Sequence, residues 1–89
     1  MSVRILYVGN DLLLQEFLQA NLEGTVVRCA GLSQAQLLIR GIEYSLIVLD
    51  QNMRKLRRFI RDVRMGTPVL LVSDSPEHLL KKIKNQLSR

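Results

Sequence analysis

The sequence holds a single cysteine, Cys29, and a single histidine, His78. One thiol closes no internal disulfide, and no Cys/His cluster has zinc spacing, so disulfide scaffolds and zinc folds are excluded. Nothing near Cys29 in sequence would lower its pKa, so it is expected as a small core hydrophobe. His78 has no triad around it and is expected to be exposed. No apolar run approaches the roughly 18 residues that span a bilayer. The opening Met1-Ser2-Val3-Arg4-Ile5 enters an apolar run directly, without the longer stretch and cleavage site of a secretory signal. Cytoplasm is the expected compartment. Neither a base–nucleophile pair nor a phosphate-cradling glycine loop is present, since Gly9-Asn10-Asp11-Leu12 is not G-x-G-x-x-G. No independent enzyme is expected.

With no linker or low-complexity segment, residues 1–89 form one expected domain. Hydrophobic residues make up 47% and charged residues 24%, which suits a globular core and argues against disorder. The formal charge is +5, and its placement is uneven. One group is Arg54, Lys55, Arg57, Arg58, Arg61 and Arg64; a second is Lys81, Lys82, Lys84 and Arg89.

Short apolar runs alternate with helical patterns, which marks a parallel sheet built from βα units. Ile5–Val8 is a compact apolar run, followed by Leu13, Leu14, Phe17 and Leu18 at helical spacing. Asn10 or Asp11 can cap that helix, and Gly24 ends it. Thr25–Cys29 is a second strand. Ser33 with Gln36 fits a capping box, Ala35, Leu38 and Ile39 supply an inward face, and Gly41 suits a left-handed terminus. Leu46–Leu49 is the strongest strand signal and runs into Asp50. From about Met53 to Met65 the pattern is helical again, with Leu56, Phe59, Ile60 and Val63 inward and the arginines outward. Val69–Val72 is a fourth strand, followed by Ser73 and Asp74. Ser75-Pro76-Glu77 opens a last helix whose buried stripe is Leu79, Leu80, Ile83 and Leu87. On such sheets, ligands and reactive groups gather at the carboxyl ends of the strands. Here those ends carry Gly9-Asn10-Asp11, Asp50 and Ser73.

The order of these strand ends resembles the receiver domain of two-component response regulators. Ser45-Leu46-Ile47-Val48-Leu49-Asp50 is similar to the family's third strand, which ends in an aspartate. Pro68-Val69-Leu70-Leu71-Val72-Ser73 is similar to its fourth, and Val8-Gly9-Asn10-Asp11 stands in the place of its first strand and acidic pair. The resemblance covers essentially the whole chain. It implies an α/β fold: an open parallel sheet of about four βα units, in the flavodoxin- and CheY-like order 2-1-3-4. Helices would cover both faces, and a receiver's fifth unit would be missing. It implies Asp50 as phosphoacceptor and Ser73 as switch hydroxyl. It also implies a Mg²⁺ site from Asp11, Asp50 and the main chain of Asn52, with no other cofactor.

The chain departs from the family pattern at several of these positions. The acidic pair falls on Gly9 and Asn10, Arg54 stands where a proline is usual, and the lysine of the fifth strand has no counterpart. In a rival register a middle unit is deleted, because Ser75-Pro76-Glu77-His78-Leu79-Leu80 looks like a receiver's last helix; Ser73 then loses its match. Ser73 is not followed by Lys-Pro, which favours simple shortening.

Three functions from these residues remain open. One is a signal-transduction module acting by protein–protein contact, an atypical pseudo-receiver with weak or no phosphorylation. Another is an active minimal receiver phosphorylated on Asp50. The third is a nucleic-acid-binding regulator using Arg54, Arg57, Arg58, Arg61 and Arg64, a basic face that would also suit an acidic partner. Phe59, the nearby aromatic, is expected to point inward and cannot stack on bases. In the order 2-1-3-4 the fourth strand, Val69, Leu70, Leu71 and Val72, is an unguarded apolar edge. A partner protein or a second copy of the chain is expected on that edge or the adjacent helices, the latter making a homodimer.

Overall fold

The computed structural model describes residues 3–73 and 75–88; Met1, Ser2, Asp74 and Arg89, named above, lie outside the described residues. Strand β1 is Val3–Val8, helix α1 Leu12–Asn21, strand β2 Thr25–Ala30, and helix α2 Leu32–Gly41. Strand β3, Leu46–Leu49, leads into a single 3₁₀ turn at Gln51–Met53. Helix α3 is Leu56–Val63, strand β4 Val69–Leu71, and helix α4 Pro76–Leu87. All strand pairs are parallel, in the order β2-β1-β3-β4. The fold is therefore α/β with the flavodoxin- and CheY-like order 2-1-3-4. No helix among the described residues is long and apolar enough to cross a membrane.

Alternation along the strands divides the core into two clusters. Ile5, Tyr7, Val27, Leu46 and Val48 face α1 and α4, where Leu14, Leu18, Leu79 and Ile83 are buried. Leu6, Val8, Ile47 and Leu49 face α2 and α3, meeting Ala35, Ile39, Leu56 and Ile60. Central strands buried on both faces need aliphatic residues at every position, which is why β3 reads as an unbroken apolar run.

Handedness explains which helix covers which face. The steps from β2 to β3 and from β3 to β4 run the same way across the sheet, so right-handed crossovers put α2 and α3 together. The step from β1 to β2 runs the other way and puts α1 opposite. Helix α4 leads to no further strand among the described residues and is free of that constraint. It packs beside α1, covering side chains of β1 and β3 that α1 alone would leave bare.

Several boundaries differ from the sequence expectation. The helix expected from Met53 begins at Leu56, because the chain first makes the 3₁₀ turn at Gln51–Met53. Helix α2 begins one residue before Ser33; its N-cap is Gly31, with no side-chain cap bond, so the Ser33–Gln36 capping box does not form. Gly41 is the last residue of α2 itself, and the positive φ angles fall on Gly24 and Gly66. On α1, Leu14 and Leu18 are buried while Leu13 is 78% exposed, so the inward stripe is narrower than its leucines suggest. Val63 on α3 is likewise exposed. The start of α4 is as expected: Ser75 accepts a hydrogen bond from the His78 amide at 3.0 Å, and Pro76 opens the first turn.

Candidate functional site

The carboxyl ends of β1, β2 and β3 are tied together by main-chain bonds. Asp50 N–H donates to the Val8 carbonyl at 3.0 Å, and Gly9 N–H donates to the Ala30 carbonyl at 3.1 Å. These bonds set Asp50 directly beside Gly9. Tyr7, two residues before Gly9 and fully buried, completes the group.

The Tyr7 hydroxyl donates to Asp50 Oδ1 at 2.7 Å and accepts the Asp11 main-chain N–H at 3.3 Å. A buried tyrosine needs a partner for its polar tip, and here it has two. The arrangement depends on glycine at position 9. A Cβ there would lie 2.2 Å from Asp50 Oδ2 and 2.5 Å from the Tyr7 oxygen. Tyr7, Gly9 and Asp50 therefore form one close-packed group, of which the sequence places Gly9 and Asp50 at the strand ends but does not single out Tyr7. The available signal for Tyr7 was its hydroxyl, the one polar tip in the run Ile5–Val8.

Burial, reinforced by the hydrogen bond to the Asp50 carboxylate, raises the Tyr7 pKa far above its ordinary value. The Cys29 thiol is raised too, first by burial and then by the charge of Asp50. It is half-buried against the α1/α4 cluster and donates to the Gly9 carbonyl at 3.3 Å. Both shifts have one consequence for stability. The native state holds these protons more tightly than the unfolded chain, so unfolding is favoured once the unfolded groups ionise. Stability is expected to be flat near neutrality and to fall as pH rises beyond about 9–10, the ordinary range for these groups. Urea unfolding across pH 7–11 in the parent and in Tyr7→Phe checks this. The variant should lose the share of the decline near pH 10 that Tyr7 contributes and keep that of Tyr44, whose hydroxyl is also pushed up by burial.

Asp11 caps α1, its Oδ1 accepting the Leu14 N–H at 3.0 Å. Asn52 is exposed within the 3₁₀ turn. Ser73 Oγ is buried without a hydrogen-bond partner among the described residues, so no bond joins it to Asp50. Neighbouring Gln51 donates instead to the Val72 carbonyl at 2.8 Å, tying the end of β3 to the end of β4. A magnesium site needs several hard oxygens directed at one point. Here one oxygen of Asp50 receives Tyr7, one of Asp11 receives a helix amide, and position 9 has no side chain. No group of three His, Cys, Asp or Glu side chains suited to a metal occurs among the described residues. The residues present do not fit the ion.

The basic helix is less uniform than its sequence. Arg54, Arg57, Arg58 and Arg61 are exposed, while Arg64 is half-buried. Its guanidinium donates to the carbonyls of Ile39 at 2.9 Å and Arg40 at 3.1 Å, satisfying the end of α2. Arg64 is therefore structural as well as charged. Phe59 is half-buried beneath the Arg40 guanidinium, 5.4 Å from the ring centroid. His78 is exposed in the first turn of α4.

Compared with known proteins, the chain matches no family model, and no curated protein or solved structure is significantly similar to it, so what the site can do rests on its own geometry.

Proposed function

We propose that this chain is a cytoplasmic signal-transduction module that acts by protein–protein contact, a pseudo-receiver in which phosphoryl transfer to Asp50 has been lost. The seating of the Tyr7 hydroxyl on Asp50 carries this reading. A phosphoacceptor carboxylate must present an oxygen to the donor while cationic groups neutralise the transferring phosphoryl oxygens. At Asp50 one oxygen is held by a buried phenol and the other is packed over Gly9. Among the described residues, the Asp11 carboxylate is engaged as the cap of α1.

The end of β4 adds support. Ser73 Oγ has no hydrogen-bond partner among the described residues, so the hydroxyl expected to act as a switch is not engaged with Asp50.

Intact-mass analysis after incubation with acetyl phosphate and Mg²⁺ tests the proposal, with Asp50→Asn alongside. The expected result is no added phosphoryl group on either protein. One phosphoryl group on the parent and none on Asp50→Asn would establish the active minimal receiver instead.

A further inference from the structure

The geometry points to the open edge of β4, together with the arginine side of α3, as a docking site for an acidic polypeptide segment that adds to the sheet as a further parallel or antiparallel strand. This rests on the reading of the chain as a protein–protein module and names the chemistry of its partner.

The first observation is the edge itself. β4 pairs with β3 on one side only. The Pro68 carbonyl accepts from Ile47, and the Val72 amide donates to Leu49, both toward β3. Main-chain groups of alternate residues in a strand point to opposite sides. The amides and carbonyls of Val69 and Leu71 are therefore directed away from β3, and no turn or loop bond occupies them among the described residues. Val69, Leu70 and Leu71 are each only half-buried, in contrast with the fully buried β3. An added strand would pair those main-chain groups and cover the apolar side chains.

The second observation is charge. Between α3 and the start of β4 runs an open groove of about 580 Å³, lined by Arg54, Arg57, Arg58, Arg61, Thr67 and Val69 among others, with no acidic side chain in its wall. Val69 and Leu71 turn their side chains toward this α2/α3 face, while Leu70 and Val72 turn toward the α1/α4 face. An incoming strand has the same two-residue alternation. Acidic residues at every second position would lie over the arginines, and apolar residues between them would extend the other face.

Charge also selects among occupants. A second copy paired edge to edge would bring two arginine helices onto the same face of one continuous sheet, setting like charges against each other. Single-stranded nucleic acid is normally held by aromatic platforms as well as by cations. All four aromatic side chains here are buried or half-buried, Phe59 beneath Arg40. An acidic strand alone uses both the edge and the arginines.

The test uses a fluorescent short peptide alternating glutamate and valine, a block peptide of the same composition, single-stranded DNA, and the Arg58→Glu/Arg61→Glu variant. Both arginines are exposed, so circular dichroism of the variant should match the parent. The alternating peptide should bind the parent and perturb the Val69 and Leu71 amides. The block peptide, and the variant protein, should each bind on the order of tenfold more weakly, about 1.4 kcal/mol. Equal binding of the two peptides, or shifts confined to other strands, overturns strand addition. DNA that binds more tightly than the peptide, with the same dependence on Arg58 and Arg61, overturns it in favour of nucleic acid. A dimer by sedimentation that protects the Val69 and Leu71 amides overturns it in favour of a second copy. Peptide binding is independent of the phosphorylation assay. No binding and no adduct removes the docking site but leaves Asp50 a relic, whereas an adduct removes the relic whatever the peptide does.

Discussion

Gly9→Ala is expected to lower folding stability by about 2–4 kcal/mol, the sum of overpacking and a disturbed buried hydrogen bond. The added methyl group would fall within 2.5 Å of both the Tyr7 hydroxyl and an Asp50 oxygen. Either side chain could swing aside, since each presents only its tip. Swinging aside breaks the 2.7 Å bond between them and leaves the buried phenol without its acceptor. Urea unfolding of Gly9→Ala, Tyr7→Phe and the double variant separates the contributions. Tyr7→Phe alone should cost about 1–2 kcal/mol, because Asp50 and the Asp11 amide each lose a partner. In the double variant the alanine should cost less than it does alone, since one of the two crowding oxygens is gone. A Gly9→Ala protein within about 0.5 kcal/mol of the parent would show that the strand ends are not packed as described.

Ile83→Ala is expected to cost about 2–5 kcal/mol, a large share of the roughly 5–15 kcal/mol that holds a domain together. Ile83 is fully buried in the cluster that α4 shares with α1 and the sheet. Its truncation leaves a cavity beneath a helix anchored chiefly by two buried residues, Leu79 and Ile83. The neighbouring Lys82→Ala serves as control; Lys82 is exposed and should change stability by no more than about 0.5 kcal/mol. Hydrogen exchange should show the α4 amides opening first in Ile83→Ala. A loss below about 1 kcal/mol in that variant would place α4 outside the core.

The amino-acid pattern made much of the fold legible. The parallel strands were visible because residues buried on both faces must be apolar throughout, as in Leu46–Leu49. The start of α4 was visible because Ser75, Pro76 and Glu77 act within a single turn. Where local signals competed, the reading was less accurate. Ser33 and Gln36 have the spacing of a capping box, yet Gly31 took the cap and Ser33 became part of the helix. Met53 joined a 3₁₀ turn although it continues the apolar spacing of α3.

Sequence alone thus determined the order and type of the elements, the aspartate at the end of β3 and the positive side of α3, because each depends on residues near one another in the chain. Tertiary structure decided which face α4 covers, how Arg64 turns back to the carbonyls of α2, and what meets Asp50. Tyr7 and Asp50 are 43 residues apart, and their bond exists only because β1 and β3 lie side by side in one register. No local pattern encodes that meeting. It follows from strand pairing, which brings a phenol, a carboxylate and a bare glycine to the same strand end.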